Sequence, residues 1–389
     1  MPTRTAPIAP RESARVAASA LGVATLVAAL VAGCASPEST PEPEPMRPAD
    51  ARALIARLLP ANTTDRPGWA TDIYAAFASM NIAPTLPHIC AVIAVTDQES
   101  NFRADPSVPG LGALAWKEID ARAERAGVPR LVVHAALGLS SPTGKSYGQR
   151  IDAVRTEREL SDIFDDFIAM VPMGRRLFAS WNPVRTGGPM QVSVAFAHKH
   201  MALRPYPYPV PQGGLRHEVF TRRGGMYFGI AHLLDYPASY PAMVYRFADF
   251  NAGHHASRNA ALQNAISLAS GIPLELDGDL IRNDGDGGAV PGTTELAARA
   301  LATRLRMSPP EIRRDLELGD RPGLERTPLH ERVFALADRL EGRRLPRAVL
   351  PGIELKSPKI TRKLTTEWFA QRVDERFKRC LGRAAAPGG

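Results

Sequence analysis

The sequence has few aromatic residues, few cysteines and none of the short motifs that mark the commonest hydrolases. Aromatic residues make up 6% of the 389 residues, and only three cysteines are present. The patterns G-x-S-x-G, S-x-x-K and H-E-x-x-H are absent, which removes the usual signatures of serine hydrolases, penicillin-binding proteins and zinc proteases. The composition is otherwise ordinary, with 44% hydrophobic and 23% charged residues, and it excludes disordered, collagenous and coiled-coil classes.

Metal ligands are also missing at the spacings that metal sites require. His198 and His200 are two residues apart and so face apart on a helix, whereas His254 and His255 are neighbours in a predicted turn. Structural or surface histidines are the better interpretation of both pairs. We therefore predict no metal and no cofactor.

No apolar run is long enough to cross a membrane, yet the N-terminus has the pattern of an export signal. Three arginines precede 17 apolar or small residues at 16–32, whereas a membrane-spanning helix needs about 20. The run ends in VAGC at Cys34, which resembles the lipobox of bacterial lipoproteins. The resemblance implies cleavage before Cys34, acylation of its thiol and, in a Gram-negative host, a position on the periplasmic face of the outer membrane. An uncleaved anchor or an ordinary secretion signal is the alternative.

Charge is concentrated near the C-terminus. The net charge is +8, and residues 343–383 contain twelve basic and four acidic residues. Such a surplus indicates either a patch that faces the cell wall or lipid, or a solvated helical face. Export, together with the lack of interleaved aromatic residues apart from Trp368 and Phe369, argues against nucleic acid as a partner.

Cys90 and Cys380 remain after Cys34 is assigned to acylation. They either form one disulfide, which would tie the tail to the core, or stay two separate buried thiols. Sequence spacing does not decide between these alternatives.

Short helices dominate the predicted secondary structure, so we predict a mainly α fold. Residues 35–50 are rich in proline and glutamate and predict an extended tether. Thr156 and Glu159 fit a capping box, which predicts a helix start. The segment 274–281, with Asp277-Gly278 at its centre, predicts the only hairpin. No heptad pattern appears, and we predict a monomer. Helical periodicity predicts helices near 51–59, 69–80, 86–98, 114–126, 129–137, 190–200, 226–234, 242–250, 258–269, 296–306, 309–317, 328–341 and 365–379.

One carboxylic acid has an unusual sequence environment. The segment LPHICAVIAVTDQES at 86–100 is apolar on nearly every side of a helix, so it should be buried, and Glu99 lies near its C-terminal end. Burial and the negative end of the helix dipole both disfavour the charged carboxylate. We therefore expect the pKa of Glu99 to be raised toward the range of a general acid. A solvated glutamate in the last turn is the alternative.

The residues around Glu99 resemble a motif of a known superfamily. Glu99-Ser-Asn-Phe102 resembles the E-S-x-F segment of lytic transglycosylases and goose-type lysozymes, in which the glutamate is the catalytic acid and base. Downstream, Gly188-Pro-Met-Gln191 is similar to their G-L-M-Q motif, and ADFNAG at 248–253 is similar to their A-Y-N-A-G motif. The helix at 225–234 resembles the helix that links these two motifs.

The resemblance implies a domain organisation. Residues 1–33 are the lipoprotein signal peptide, 34–50 the lipidated cysteine and tether, and 51–289 a lysozyme-like helical domain. Because Glu99 and Gln191 are 92 residues apart, residues 103–187 are interpreted as a helical insertion, and 290–389 as a basic helical C-terminal region. The insertion and the tail also resemble a family of bacterial lipoproteins of unassigned function.

The resemblance further implies a reaction on the glycan strands of peptidoglycan. Glu99 would protonate the β-1,4 bond between N-acetylmuramic acid and N-acetylglucosamine, then accept the proton of the muramyl C6 hydroxyl and so close a 1,6-anhydro ring. This route needs one carboxyl group, whereas ordinary glycosidases need two. The alternative is a catalytically silent lysozyme-like module that binds glycan.

Substrate contacts are implied by the same motifs. Ser100 would orient Glu99, Met190 and Phe250 would line the sugar cleft, and Gln191 and Asn251 would offer amide hydrogen bonds. Core packing is the alternative for Met190 and Phe250. Phe250 replaces the tyrosine of the superfamily, and Tyr240 or Tyr245 is a candidate to supply the missing hydroxyl. The predicted substrate-binding residues are Ser100, Met190, Gln191, Tyr245, Phe250, Asn251 and Gly253.

Overall fold

A computed structural model describes residues 46–211, 213–282, 290–355 and 363–385. The predicted signal peptide, Cys34 and the tether as far as residue 45 lie outside these ranges. The described chain is mainly helical, as predicted, and its single sheet has two antiparallel strands. In the same ranges, no helix is both long enough and apolar enough to cross a bilayer.

The elements follow one another closely along the chain. The N-terminal part contains α1 (Pro48–Leu58), α2 (Arg66–Ser79), α3 (Leu86–Ser100), α4 (Leu111–Arg125), α5 (Arg130–Leu137), α6 (Tyr147–Ala153), α7 (Glu157–Ala169) and α8 (Gly174–Phe178). The middle part contains β1 (Thr186–Gly187), β2 (Val192–Ser193), α9 (Val194–Leu203), α10 (Gly214–Val219), α11 (Arg222–Leu234), α12 (Met243–Ala252) and α13 (Ala256–Ser270). The remainder contains α14 (Thr293–Ala300), α15 (Ala302–Leu305), α16 (Pro309–Leu316), α17 (Pro328–Glu341) and α18 (Thr366–Ala385).

The first core is built around α3 and α11. Every residue of α3 from Ile89 to Thr96 is buried, as its apolar sequence predicts, and nearly all of α11 is buried as well. Helices α1, α2, α12 and α18 surround this pair, and Phe369, Ala370 and Val373 of α18 join the same apolar cluster. Cys90 of α3 and Cys380 of α18 form a disulfide, with their Cα atoms 5.5 Å apart. The tail helix is therefore part of the core that holds the Glu99 helix.

The insertion predicted at 103–187 has a small core of its own. Helices α4 to α8 lie between α3 and β1 in the chain, and Leu111, Tyr147 and Ile163 are among the buried residues of this core. The predicted capping box is present at the start of α7, because Thr156 and Glu159 each accept a hydrogen bond from the other's backbone N–H group. Helices α6 and α8 were not predicted.

A second large core joins α13 to the helices that follow it. Ala261, Leu262 and Ile266 of α13 pack with apolar residues of α14 to α17. The C-terminal region predicted at 290–389 thus divides between two cores, since α14 to α17 pack on α13 and α18 packs on the first core.

The hairpin lies elsewhere than predicted. Residues 274–281 contain no paired strands; instead, Asp277 accepts a hydrogen bond from Gln263 Nε2 (2.7 Å), and Gly278 donates its N–H to Gln263 Oε1 (2.8 Å). Hydrogen bonds to α13 thus replace cross-strand pairing. The observed sheet pairs Thr186 with Ser193 and Gly187 with Val192, and the helix predicted at 190–200 begins only at Val194.

Candidate active site

Helix α11 brings the three motif segments together. Thr96 of α3 points its hydroxyl at Met226 Sδ (3.8 Å), which joins the Glu99 helix to α11. The hairpin packs on the same helix through Pro189 and Met190. At the C-terminal end of α11, His232 Nε2 lies 3.1 Å from the carbonyl oxygen of Phe250 in the third motif. Segments that are up to 150 residues apart in sequence therefore share one supporting helix.

Glu99 is half-buried in the last turn of α3. The helix ends immediately afterwards because Asn101 and Phe102 adopt left-handed backbone angles, with φ of 50° and 58°. Phe102 then turns back into the core, where its ring packs edge-on against Trp69 at 5.2 Å. The position lies between the buried acid that the sequence predicts and the fully solvated alternative.

Asp97, Asp105 and Asp249, which lie near the motifs, are each held by specific partners. Asp97 pairs with Arg376 of α18 (3.0 Å), and Asp105 pairs with Arg158 of α7 (3.0 Å). Burial raises the pKa of Asp105, although Arg158 opposes this shift. Asp249 is fully buried. These three carboxylates are therefore held by specific contacts of the fold.

Asp249 belongs to a polar network that sequence reasoning missed. Its carboxylate accepts hydrogen bonds from the hydroxyl groups of Tyr236 (3.1 Å) and Tyr240 (2.5 Å), and from the N–H groups of His255 (2.9 Å) and Ser257 (2.7 Å). Burial raises the pKa of Asp249 in spite of these bonds. The expectation that Tyr240 supplies the missing hydroxyl to Glu99 is wrong, because that hydroxyl is used by Asp249. No sequence signal pairs these residues.

The hydroxyl of Ser100, which is predicted to orient Glu99, has a hydrogen-bond partner within its own helix. The residue is 4% exposed, and its hydroxyl donates to the carbonyl oxygen of Thr96 (3.1 Å) within α3. A serine that follows a buried helix can satisfy its hydroxyl on the preceding turn, which removes the need for a partner outside the helix.

The G-P-M-Q segment forms the turn of the hairpin. Gly188 and Gln191 both have left-handed backbone angles, with φ of 72° and 50°. The N–H and the side-chain Nε2 of Gln191 both donate to the carbonyl oxygen of Gly188, at 3.1 and 3.2 Å. Thr186 Oγ1 lies 3.5 Å from Gln191 Oε1. The side-chain amide of Gln191 is therefore held in place by the hairpin itself.

Met190 is part of the core, so its predicted role in lining the sugar cleft is wrong. Its side chain is 0% exposed and packs on Gly229, where an added Cβ would lie 2.5 Å from Met190 Sδ. A Cβ at Gly225 would lie 2.4 Å from Pro189 Cδ. The two glycines, four residues apart on one face of α11, let the hairpin approach the helix closely.

The third motif faces α18 on one side and α11 on the other. Asn251 is exposed, and its Oδ1 accepts a hydrogen bond from Thr366 Oγ1 at the start of α18 (3.0 Å). Phe250 is half-buried, with its ring 5.1 Å from that of His232. Gly253 has φ of 111°, a conformation that only glycine adopts readily, and it reverses the chain between α12 and α13. Tyr245 is half-buried, 5.8 Å from Tyr240 between ring centres.

A stack of aromatic and imidazole rings flanks this motif. His254 lies 4.1 Å from Tyr236 and 4.6 Å from His232 between ring centres, and Phe196 of α9 contacts both His232 (4.6 Å) and His254 (5.7 Å). Burial lowers the pKa of His232 to about 3, so the imidazole is neutral at pH 7. Among the described residues, no three His, Cys, Asp or Glu side chains are grouped so as to hold a metal ion.

Comparison with known proteins places this arrangement in a family. The sequence model of the family described as "Protein of unknown function (DUF1615)" matches residues 62–383. The chain belongs to the DUF1615 family. It is 56% identical over 358 residues to a protein of Escherichia coli (strain K12), "Uncharacterized protein YaiW", and the match covers 92% of this chain and 97% of that relative. No solved structure gives a significant match.

The DUF1615 match includes every part of the candidate site. The matched span of 62–383 begins before α2 and ends within α18, so it contains the three motif segments, the insertion and both disulfide cysteines. The match therefore spans the insertion and most of α18.

Proposed function

We propose that the chain is a peptidoglycan lytic transglycosylase that uses Glu99 as its single acid and base. The observation that carries the proposal is the shared support of the three motif segments by α11, with Glu99 half-buried where α3 ends. Fold resemblance alone would not support a function, since one fold serves many reactions. The geometry of this site must therefore support the reaction.

The local chemistry suits a reaction that needs only one carboxyl group. Asp97 and Asp105 are held in ion pairs, and Asp249 is buried in hydrogen bonds from two tyrosines and two backbone N–H groups. Glu99 would donate a proton to the glycosidic oxygen as the bond to the muramyl C1 breaks. The resulting carboxylate would then accept the proton of the C6 hydroxyl as its oxygen bonds to C1, which yields the 1,6-anhydro product without water.

A silent glycan-binding module is the second candidate, and specific contacts favour it. The Ser100 hydroxyl is used within α3, the Tyr240 hydroxyl is used by Asp249, and Phe250 stands where the superfamily has tyrosine. Two hydrogen bonds that were expected near Glu99 are thus directed elsewhere. Glycan binding without turnover would follow if the acid lacks this support.

The decisive experiment is digestion of purified sacculi with the chain from residue 35 onward, followed by mass analysis of the released fragments. We expect anhydro-muropeptides, and we expect Glu99→Gln to lower their release by at least about 100-fold, because general acid–base catalysis contributes about 10²–10⁴. Glu341→Gln, an exposed site at the end of α17, is the matched control and should retain full release.

Thermal melts of all three proteins would exclude misfolding as the cause of a loss. Hydrated rather than anhydro products would contradict the transglycosylase route. Co-sedimentation with sacculi in the absence of any released fragment would favour the silent module.

The proposal includes an envelope location. We propose that Cys34 is acylated and anchors the chain to the periplasmic face of the outer membrane, where glycan strands are within reach. Metabolic labelling with a clickable fatty acid, comparing the native chain with Cys34→Ala, tests this part independently of any glycan chemistry.

A further inference from the structure

We infer that the insertion binds a long-chain amphiphile with an anionic head, such as a fatty acid, in an apolar pocket between α4 and α7. This binding site is separate from the glycan chemistry proposed for Glu99. The inference combines the pocket, the charges at its mouth and the exposed apolar residues beside it.

The pocket is large, and most of the residues that line it are apolar. Its volume is about 600 Å³, which lies within the range of small-molecule sites. Thirteen of its eighteen lining residues are apolar, and they include Leu114, Ile119, Leu160 and Phe164. The buried core residues Leu111 and Ile163 of the insertion are also wall residues. The insertion therefore uses much of its core to line an open pocket.

The pocket mouth favours a negative head group. Arg122 and Arg185 lie among the few polar lining residues, together with Glu118, Glu157 and Thr186. Glu118 is bound by both Arg122 (2.6 Å) and Arg125 (3.3 Å), so the charge of this acid is more than compensated. Arg185 is exposed, and within the described part of the chain it forms no ion pair. If the carboxylate of a fatty acid binds Arg185, its alkyl chain can extend into the apolar interior of the pocket.

The surface next to the mouth is suited to contact with lipid. Arg122 donates to the carbonyl oxygen of Trp181 (3.0 Å), so the pocket adjoins the segment 170–181. In that segment Met173 (62%), Leu177 (57%) and Trp181 (62%) are exposed beside two arginines. Exposed apolar residues grouped in this way indicate an interaction site rather than ordinary surface. Apolar and basic side chains together match the interface from which an anionic amphiphile would be taken up.

Fluorescence titration with dansyl-undecanoic acid, displaced by palmitate below its micelle concentration, tests the inference on the chain from residue 35 onward. We expect saturable binding at one site, and each methylene removed from the competing fatty acid should weaken binding roughly threefold to fourfold. Leu160→Trp, which fills the pocket, should weaken palmitate binding at least tenfold. Leu340→Trp, at an exposed site of α17, should change binding less than twofold.

A second pair of variants tests the head group without altering the core. Arg185→Glu should weaken palmitate binding about fivefold to tenfold while leaving the affinity for palmityl alcohol unchanged. Arg344→Glu, at another exposed arginine, should change neither affinity. If Leu160→Trp and Leu340→Trp bind palmitate with equal affinity, the pocket is not the binding site. If Arg185→Glu and Arg344→Glu have equal effects on palmitate binding, Arg185 does not recognise an anionic head group. Glu99→Gln should bind palmitate normally, so failure of the glycan proposal would not be mistaken for failure of this inference.

Discussion

The first core and the insertion use their apolar residues in opposite ways. In the first core, α3 and α11 are buried on nearly every side, and a disulfide and the bond from Thr366 to Asn251 tie the motif helices to α18. In the insertion, core residues also line an open pocket, and Leu131, Met173, Leu177 and Trp181 are more than half exposed. The first arrangement holds a few side chains in place, whereas the second leaves surface for a partner.

Reduction of the disulfide should have the largest effect, because it should destabilise the first core and leave the insertion nearly unchanged. Cys90 and Cys380 are 290 residues apart, and a loop of that length corresponds to about 6 kcal/mol in the chain-entropy description. When a reductant is added, we expect the free energy of unfolding of the first core, measured in urea, to fall by up to that amount. Hydrogen exchange of peptides from α4 to α7 should change little at low urea.

The double variant Cys90→Ala/Cys380→Ala is the control, since its unfolding should not respond to the reductant. Equal loss of protection in both regions on reduction would contradict the separation of the insertion from the first core.

A pair of glycine substitutions should have the next largest effect. Gly188 and Gly127 both have left-handed angles, with φ of 72° and 68°, but an added Cβ at Gly188 would lie 2.3 Å from the Val219 carbonyl oxygen, whereas the space at Gly127 is open. We expect Gly188→Ala to cost about 2–5 kcal/mol, from backbone strain plus overpacking, and Gly127→Ala about 1–2 kcal/mol, from strain alone. Urea unfolding measures both. Similar costs would mean that the hairpin can move away from α11.

A fall in pH should change the stability of the two regions in opposite directions. This effect should be smaller than the previous two and should grow gradually as the pH falls. Burial lowers the pKa of His232 on α11 to about 3, so the first core should lose about 1.4 kcal/mol of stability for each pH unit below about 6.5. Burial raises the pKa values of Asp162 and Asp165 in the insertion, so their protonation as the pH falls should stabilise that region. Hydrogen exchange at pH 6, 5 and 4, corrected for intrinsic rates, should show falling protection in α11 and rising protection in α7 as the pH approaches the ordinary carboxyl range.

If both regions lose protection equally as the pH falls, histidine in the first core and aspartate in the insertion are not the groups that set the pH dependence. Replacement of Asp162 and Asp165 by asparagine should remove the gain in the insertion and leave the trend in α11 unchanged.

Local signals in the sequence predicted much of the fold. The continuous apolar pattern of 86–100 predicted a buried helix, and the Thr156 and Glu159 spacing predicted a helix start, because both effects act within a few residues. The hairpin predicted at 274–281 is wrong because a local signal does not include tertiary contacts. Asp277-Gly278 has the local chemistry of a turn, but Gln263 of α13 binds both residues, and that contact depends on the tertiary fold.

The candidate site was predicted only in its parts. The three motif segments remain a resemblance, and the side chains around them have partners far away in the chain. Asn251 is bound by Thr366, and Asp97 is bound by Arg376, 279 residues later. Long-range polar pairs of this kind have no periodicity or fixed spacing, so single-sequence reasoning cannot find them.

The pairing of α3 with α18 has a consequence for biosynthesis. During vectorial synthesis, the apolar α3 emerges nearly 300 residues before the helix that covers it and supplies its disulfide partner. Until then its surface is open to aggregation, because contacts of such long range form late in folding. A nascent chain stalled before residue 366 should therefore require a holding chaperone, and release of the chaperone should follow synthesis of α18.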